Sequence, residues 1–349
     1  MLPFISEKLY RNAVRPAIAR PTKQPGKGTP VEKELLILVP FKEHHMEQIR
    51  AAAGNQLVVR QFPQGLSGTE ATEALATATA IVGEPEVEDI AASNTMKWVQ
   101  MTWAGTDKYT RNGKPFPAGV QLTNAVGSYG HTISQYALGQ ALSICQNLGR
   151  YAKHQASEQW HDLGGIETLE GATVLIFGAG DIGSHCAKRF AGFDAHIIGV
   201  CRSTEAKRPY FDELCTLEQA EQFIPQADVI IGAIPNNDAT AGYFDARRLA
   251  LCKPSAALVN VGRGNFVDCL ALDAALRAGQ LRGAALDVTD PEPLPEKHPL
   301  WQQERCLITP HCSGGAFGRL PETEQHICDL TCENIRRFIA GQPLKNRVF

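Results

Sequence analysis

No run in this 349-residue chain reaches the roughly 18 consecutive apolar residues that a bilayer-spanning helix needs, so no membrane partner is expected. Positive charge is not in excess either. The 34 Lys and Arg against 37 Asp and Glu leave a net charge of −3, and without a basic face or stripe no nucleic-acid partner is expected. The ten cysteines include no C-x-x-C pair. Scattered through a long chain, they suit neither a disulfide framework nor a zinc site, and reduced core thiols in a cytoplasmic protein with no metal are expected. Cys328 and Cys332, four apart on a helical pattern, read as packing rather than ligation. No short internal repeat is visible. What remains is a chain with 44% hydrophobic and 20% charged residues, the make-up of a globular protein, with length for about two domains.

Residues 1–30 stand apart. They hold five prolines and six Lys or Arg against the single acid Glu7. Pro16, Pro21, Pro25 and Pro30 oppose the amphipathic helix of a transit peptide, so a surface-draped or flexible extension is expected. From Glu34 strand and helix signals alternate: LLILV, the helical EHHMEQIRAAA, LVVRQF, AIVG and KWVQMT. Such alternation implies a parallel sheet wrapped by crossovers. His44 and His45 are adjacent, point in different directions on a helix, and suggest a solvated face rather than a metal site. A helical pattern from about His131 to about Ser157 is long enough to bridge two domains and to supply a subunit contact.

The organising stretch is VLIFGAGDIGSHCAKRF, residues 174–190: an apolar strand, a turn spaced G-x-G-x-x-G (Gly178, Gly180, Gly183), then a helix. In that context the first glycine permits a tight turn, the second lets backbone N–H groups approach a pyrophosphate, and the third lets helix and strand pack closely. The helix N-terminus favours negative charge. Dinucleotide binding is therefore expected at Gly178, Gly180, Asp181, Ile182 and Gly183. The strands HIIGV, DVIIGAIP, AALVNVG, GAALDV and CLITP follow at the spacing of further parallel strands, and a last helix spans about Glu322 to Phe338.

Three polar residues leave the ends of these strands: Arg263 in NVGRG, Glu292 in LDVTDPEPLP and His311 in ITPHCSGG. Each alone has a bland reading as a surface ion pair, a proline-loop acid or a strand cap. Behind a nucleotide turn they suggest one crevice, because open α/β sheets gather ligands at the carboxyl ends of their strands. Hydride transfer to a ketone leaves charge on oxygen, and histidine supplies a proton donor near neutrality. A carboxylate favours its charged form, and an arginine grips a substrate carboxylate through two parallel bonds.

With those motifs in order, residues from about Glu34 to Phe349 resemble the D-isomer-specific 2-hydroxyacid dehydrogenase family, carried by LEGATVLIFGAGDIG, ADVIIGAIPNNDATAGYFD, LVNVGRGNFVD, GAALDVTDPEPLP and ITPHCSGG. The resemblance implies two doubly wound parallel-sheet α/β domains, Rossmann-like and flavodoxin-like, with the active site in the cleft between them. It implies residues 31–125 plus 320–349 as the substrate domain, 126–319 as the NAD(P)-binding domain, and a homodimer formed through the long helix. It further implies Arg263 as substrate anchor, Glu292 as partner of the imidazole, His311 as general acid/base, Asp287 near the nicotinamide carboxamide, and the Ala104 and Gly105 N–H groups on the substrate carboxylate. Trp103 and Phe317 suit a small substrate there. Arg202, Ser203, Ala233, Pro235 and Val261 complete the expected cofactor contacts. Gln135, where relatives often carry Glu, and Thr289-Asp290, where an aromatic-acid pair is common, depart from the pattern. After the last helix no room is expected for the regulatory module of many phosphoglycerate dehydrogenases.

The resulting reading is NAD(P)H-dependent reduction of a small 2-keto acid of the glyoxylate or hydroxypyruvate class to the D-2-hydroxy acid. A dinucleotide-sensing, corepressor-like binding protein could keep the same motifs, as could formate or phosphite oxidation on the same fold. NADP(H) is favoured over NAD(H). In NAD-binding relatives an acid about 20 residues beyond the glycine turn holds the ribose hydroxyl. Nineteen residues after Gly183 stands Arg202, followed by Ser203, Thr204, Lys207 and Arg208. The competing reading exposes Arg202 and lets Glu205 reach the ribose.

Overall fold

Short apolar runs buried on both faces form the strands, as parallel sheets covered by helices require. Leu35, Leu36 and Ile37 in one sheet and Val229, Ile230 and Ile231 in the other are all completely buried. The computed structural model describes residues 33–111 and 113–349. The N-terminal extension expected over residues 1–30 lies outside the described residues.

The first sheet is wholly parallel, with β1 (Glu34–Ile37), β2 (Val58–Gln61), β3 (Ala78–Val82), β4 (Trp98–Gln100) and β5 (Gln121–Thr123) in the order β2-β1-β3-β4-β5. Its helices are α1 (Glu43–Ala53), α2 (Thr69–Thr77), α3 (Val87–Ala92) and the short α4 (Asp107–Thr110). Two further helices, α5 (Gly130–Cys145) and α6 (Leu148–Ala156), lead to the second sheet. That sheet contains β6 (Thr173–Phe177), β7 (His196–Val200), β8 (Glu213–Cys215), β9 (Val229–Gly232), β10 (Ala257–Asn260), β11 (Gly283–Leu286) and β12 (Cys306–Ile308). Their order is β12-β11-β10-β9-β6-β7-β8, again all parallel. The helices α7 (Asp181–Phe190), α8 (Ala246–Leu249) and α9 (Cys269–Arg277) cross between these strands, and α10 (Pro321–Ile339) follows the last. The architecture is thus two doubly wound parallel-sheet α/β domains.

Both orders reverse at one point, between β1 and β3 and between β6 and β9. A crevice opens outside the strand ends at such a switch, and ligands bind there. α10 returns to the first sheet: Ile327, Cys328, Cys332 and Ile335 share a core with Met46, Ile49 and Trp98. Asn334 Nδ2 donates to Gln100 Oε1 on β4 at 2.8 Å.

Three features differ from the sequence reading. The long helix is two: Asn147 takes a left-handed φ of 57° between α5 and α6 and breaks the run, a conformation that asparagine tolerates better than most residues. His45 is not on a solvated face. It is 2% exposed, and burial and the neighbouring His44 hold its pKa below the ordinary histidine value. The strands β5 and β8, three residues each, lie at sheet edges and had no apolar run to announce them.

Phe177 ends β6 with its ring against Tyr243, Phe244 and Phe266, at centroid distances of 5.1, 5.4 and 5.1 Å. This cluster fixes the strand end from which the glycine turn departs. Phe177→Ala is expected to lower unfolding free energy by about 3–5 kcal/mol, the range for truncating a buried aromatic. Urea denaturation followed by circular dichroism measures it, and a loss below about 1 kcal/mol would show that the cluster does not hold the strand.

Candidate active site

At the switch point of the second sheet the chain turns through Gly178 at φ 101°, where an added Cβ would stand 2.4 Å from the Ala233 carbonyl oxygen. At Gly183 a Cβ would stand 1.8 Å from the Gly178 oxygen. Neither position admits a side chain, because the obstacles are backbone. At Gly180 an added Cβ meets nothing within 4 Å, and no side chain caps the ten-residue α7 that begins there. The turn is therefore closed towards the sheet and open at the helix N-terminus, a shape and polarity that fit a dinucleotide pyrophosphate.

The other expected cofactor positions fall around this opening. Ala233 and Pro235 follow β9, and Val261 follows β10, its N–H on the Gly232 carbonyl at 2.8 Å. An added Cβ at Gly262 would stand 2.8 Å from both the N and O of Ile234, so these two segments touch. Arg202 and Ser203 are exposed just beyond β7, and Arg208 Nη1 donates to the Ala179 carbonyl at 2.6 Å. Ile182 is half-buried behind the turn. The Asp181 carboxylate accepts the Gly130 N–H at 2.9 Å and lies 3.2 Å from His185 Nδ1.

Glu292 and His311 meet, and Arg263 stands near enough for its charge to act on the imidazole. His311 Nδ1 lies 2.8 Å from Glu292 Oε1. That bond raises the imidazole pKa above its ordinary value against the lowering effect of burial; the charges of Glu292 and Asp287 add to the rise, and Arg263 opposes it. His311 itself has a left-handed φ of 48°, a conformation a non-glycine residue keeps only where its surroundings impose it. Asp287 imposes it. Only 1% exposed, its carboxylate accepts from Thr309 Oγ1 at 2.6 Å, the Cys312 N–H at 2.9 Å and the Ser313 N–H at 3.0 Å, and its carbonyl accepts the His311 N–H at 2.8 Å. Tyr136 on α5 extends the network, its hydroxyl 2.7 Å from Thr309 Oγ1.

The Arg263 turn is held in the same manner by the buried Asn260, whose Nδ2 donates to the Arg263 carbonyl at 2.9 Å. An added Cβ at Gly264 would stand 1.9 Å from the Thr289 carbonyl oxygen, so the turn leans on the loop that carries Glu292. Thr289, one of the departures from the family pattern, braces that loop through its hydroxyl to the Pro291 carbonyl at 2.9 Å.

From the first sheet, the loop after β4 brings Trp103, Ala104 and Gly105 to the arginine. An added Cβ at Gly105 would stand 1.4 Å from Arg263 Nη2. Asn124 Nδ2 donates to the Ala104 carbonyl at 2.8 Å, and the Ala125 N–H donates to the Trp103 carbonyl at 2.9 Å. Among the described residues nothing accepts the backbone N–H of Ala104 or Gly105. Under the loop, Glu84 accepts the Thr102 N–H at 2.6 Å and its hydroxyl at 2.9 Å. Burial raises the Glu84 pKa against these bonds. Phe317 packs edge-on to Phe41 at 5.3 Å. Glu84, Asp107, Tyr136, Asn260 and Thr309 did not stand out in the sequence, because their importance lies in partners distant along the chain. Among the described residues no three His, Cys, Asp or Glu gather as metal ligands, and no helix is long and apolar enough to cross a membrane.

Residues 138–313 match the family described as D-isomer specific 2-hydroxyacid dehydrogenase, NAD binding domain. The chain is 31% identical over 271 residues to glyoxylate/hydroxypyruvate reductase A of Serratia proteamaculans (strain 568), an alignment that covers 75% of this chain and 83% of that protein. A solved structure of a D-isomer specific 2-hydroxyacid dehydrogenase family protein from Aeromonas salmonicida subsp. salmonicida A449 superposes with a TM-score of 0.79 at 33% identity, covering 91% of this chain and 99% of that one. Another, from Xanthobacter autotrophicus Py2 in complex with NADPH and MES, gives a TM-score of 0.75 at 27% identity over 91% and 98% of the two chains. Likeness of this extent, embracing the glycine turn and both sheets, makes the chain a member of the D-isomer specific 2-hydroxyacid dehydrogenase family, an NAD(P)-dependent oxidoreductase.

Proposed function

We propose that this dehydrogenase reduces a small 2-keto acid of the glyoxylate or hydroxypyruvate class to its D-2-hydroxy acid, with His311 as general acid. The observation that carries the reading is the 2.8 Å pairing of His311 with Glu292, with Arg263 close enough for its charge to act on the imidazole. The reduced nicotinamide supplies the hydride. Arg263 and the N–H groups of Ala104 and Gly105 hold the substrate carboxylate. With Nδ1 engaged by Glu292, His311 gives its proton from Nε2 to the carbonyl oxygen as charge develops there. Trp103 limits the size of the group beyond the carbonyl, and Asp287 fixes the turn that aims the imidazole.

Reduction needs the protonated imidazole, so activity is present below the folded pKa of His311 and falls as pH rises through it. Glu292→Gln removes the main cause of the raised pKa, and the falling limb of the pH–rate profile is expected to move to lower pH. His311→Asn is expected to lower turnover about 10²- to 10⁴-fold with NADPH binding intact. Glyoxylate kinetics across pH read both, and normal turnover in His311→Asn would refute the assignment.

For the cofactor, we propose a preference for NADPH. An arginine pairs with a ribose 2′-phosphate, whereas an acid in its place would repel it. The place of Arg202 and Ser203 just beyond β7, nineteen and twenty residues after Gly183, and Arg208 reaching across to the glycine turn, support this. Arg202→Asp is expected to reverse or strongly weaken the preference. Comparing kcat/KM for NADPH and NADH decides it, and a preference for NADH of about tenfold or more in the wild-type protein would show that Arg202 does not read the phosphate.

We place this reaction in a cytoplasmic homodimer whose subunits divide at residues 126 and 320 into the substrate and cofactor domains. The exposed apolar side chains Leu148, Trp160 and Ile166 beyond α5 support a subunit contact there. Light scattering on the purified chain is expected to report twice the 37.9 kDa monomer mass, and a monomer at micromolar concentration would refute it.

A further inference from the structure

The chemistry above gives no work to Asp107. It opens α4 on the loop after β4, whereas Arg263 leaves β10, so any contact between them joins the two sheets. Arg263 Nε donates to Asp107 Oδ2 at 2.6 Å, and Arg263 Nη1 donates to the Gly262 carbonyl at 2.9 Å. A planar guanidinium held at both of these nitrogens has one orientation, and here it lays Nη2 over Gly105. The neighbouring cations are engaged elsewhere. Lys108 donates to the Glu84 carbonyl and to Glu86, and Arg111 pairs with Asp238 at 2.9 Å. A purely local part in α4 would leave the Asp107 carboxylate on its own helix, but it reaches across to the arginine instead.

We infer that Asp107 is a positioning residue for keto-acid reduction: it fixes the plane of Arg263 so that the Nη2 edge meets the substrate carboxylate above the Ala104–Gly105 backbone, and it offsets the arginine's charge within the cleft. The inference rests on the reading that Arg263 receives the keto acid. It also carries a consequence at His311, where Glu292 and Asp287 favour the imidazolium and Arg263 disfavours it. With the Asp107 charge removed, Arg263 is left uncompensated, and the imidazolium is expected to be less favoured.

The test is glyoxylate reduction across pH by the full chain carrying Asp107→Ala, Asp107→Asn or Arg263→Lys, with NADPH binding measured by fluorescence. Asp107→Ala loses the acceptor, and kcat/KM for glyoxylate is expected to fall about 10- to 100-fold, the scale for a slightly misplaced binding group, with NADPH affinity unchanged. Asp107→Asn keeps an acceptor oxygen and is expected to recover most of that loss, while its falling limb moves to lower pH than in the wild-type enzyme. An unmoved limb in Asp107→Asn, or loss of NADPH binding in either Asp107 variant, overturns the positioning role. Near-native kinetics in Arg263→Lys, which keeps the charge and loses the planar fork, overturns instead the substrate reading beneath it.

Discussion

A carboxylate buried at the end of β11 holds the reactive part of this molecule together. Asp287 is almost without solvent contact, a place where an unpaired charge would be costly. Donors from Thr309, Cys312 and Ser313 make it tenable. The same bonds hold residues 309–313 in one turn. His311 is thereby held in a backbone conformation it would not choose, with its ring on Glu292. Tyr136 ties the arrangement to α5.

Close backbone contacts do for the cofactor end what hydrogen bonds do for His311. Gly178, Gly183, Gly262 and Gly264 each meet main chain where a Cβ would stand, so the turns after β6, β9 and β10 and the loop before Glu292 form one block. The first sheet meets that block through the Arg263–Asp107 pair and through Gly105, which lies under the guanidinium. The loop from Thr102 to Asp107 is in turn supported by Glu84 and by Tyr129, whose hydroxyl donates to the Thr102 carbonyl at 2.6 Å. Positioning of this kind is what enzymes use to turn binding into rate.

Much of this was legible in the residues alone, for a physical reason. Strands buried on both faces must be apolar throughout, so β1, β6, β7, β9, β10 and β11 announced themselves, while β5 and β8 at the sheet edges did not. Arg263, Glu292 and His311 stood out because each is a polar residue in the loop that leaves an apolar strand, β10, β11 or β12. Their supports were hidden. Asp107 is 156 residues from Arg263 and Tyr136 is 173 from Thr309, and pairings at those separations exist only once the sheets are wound. Asn147 and His45 were misread for opposite reasons: a helical period says nothing of a single residue turning left-handed, and adjacency says nothing of which helix face is covered.

A cleft that delivers hydride and proton to a 2-keto acid in one fixed orientation, as proposed, makes a product of a single hand. Hydroxypyruvate reduced by the wild-type protein with NADPH and with NADH, and the product resolved by chiral chromatography, is predicted to give D-glycerate alone. L-glycerate, a racemic product, or no reduction with either cofactor at millimolar keto acid would contradict it.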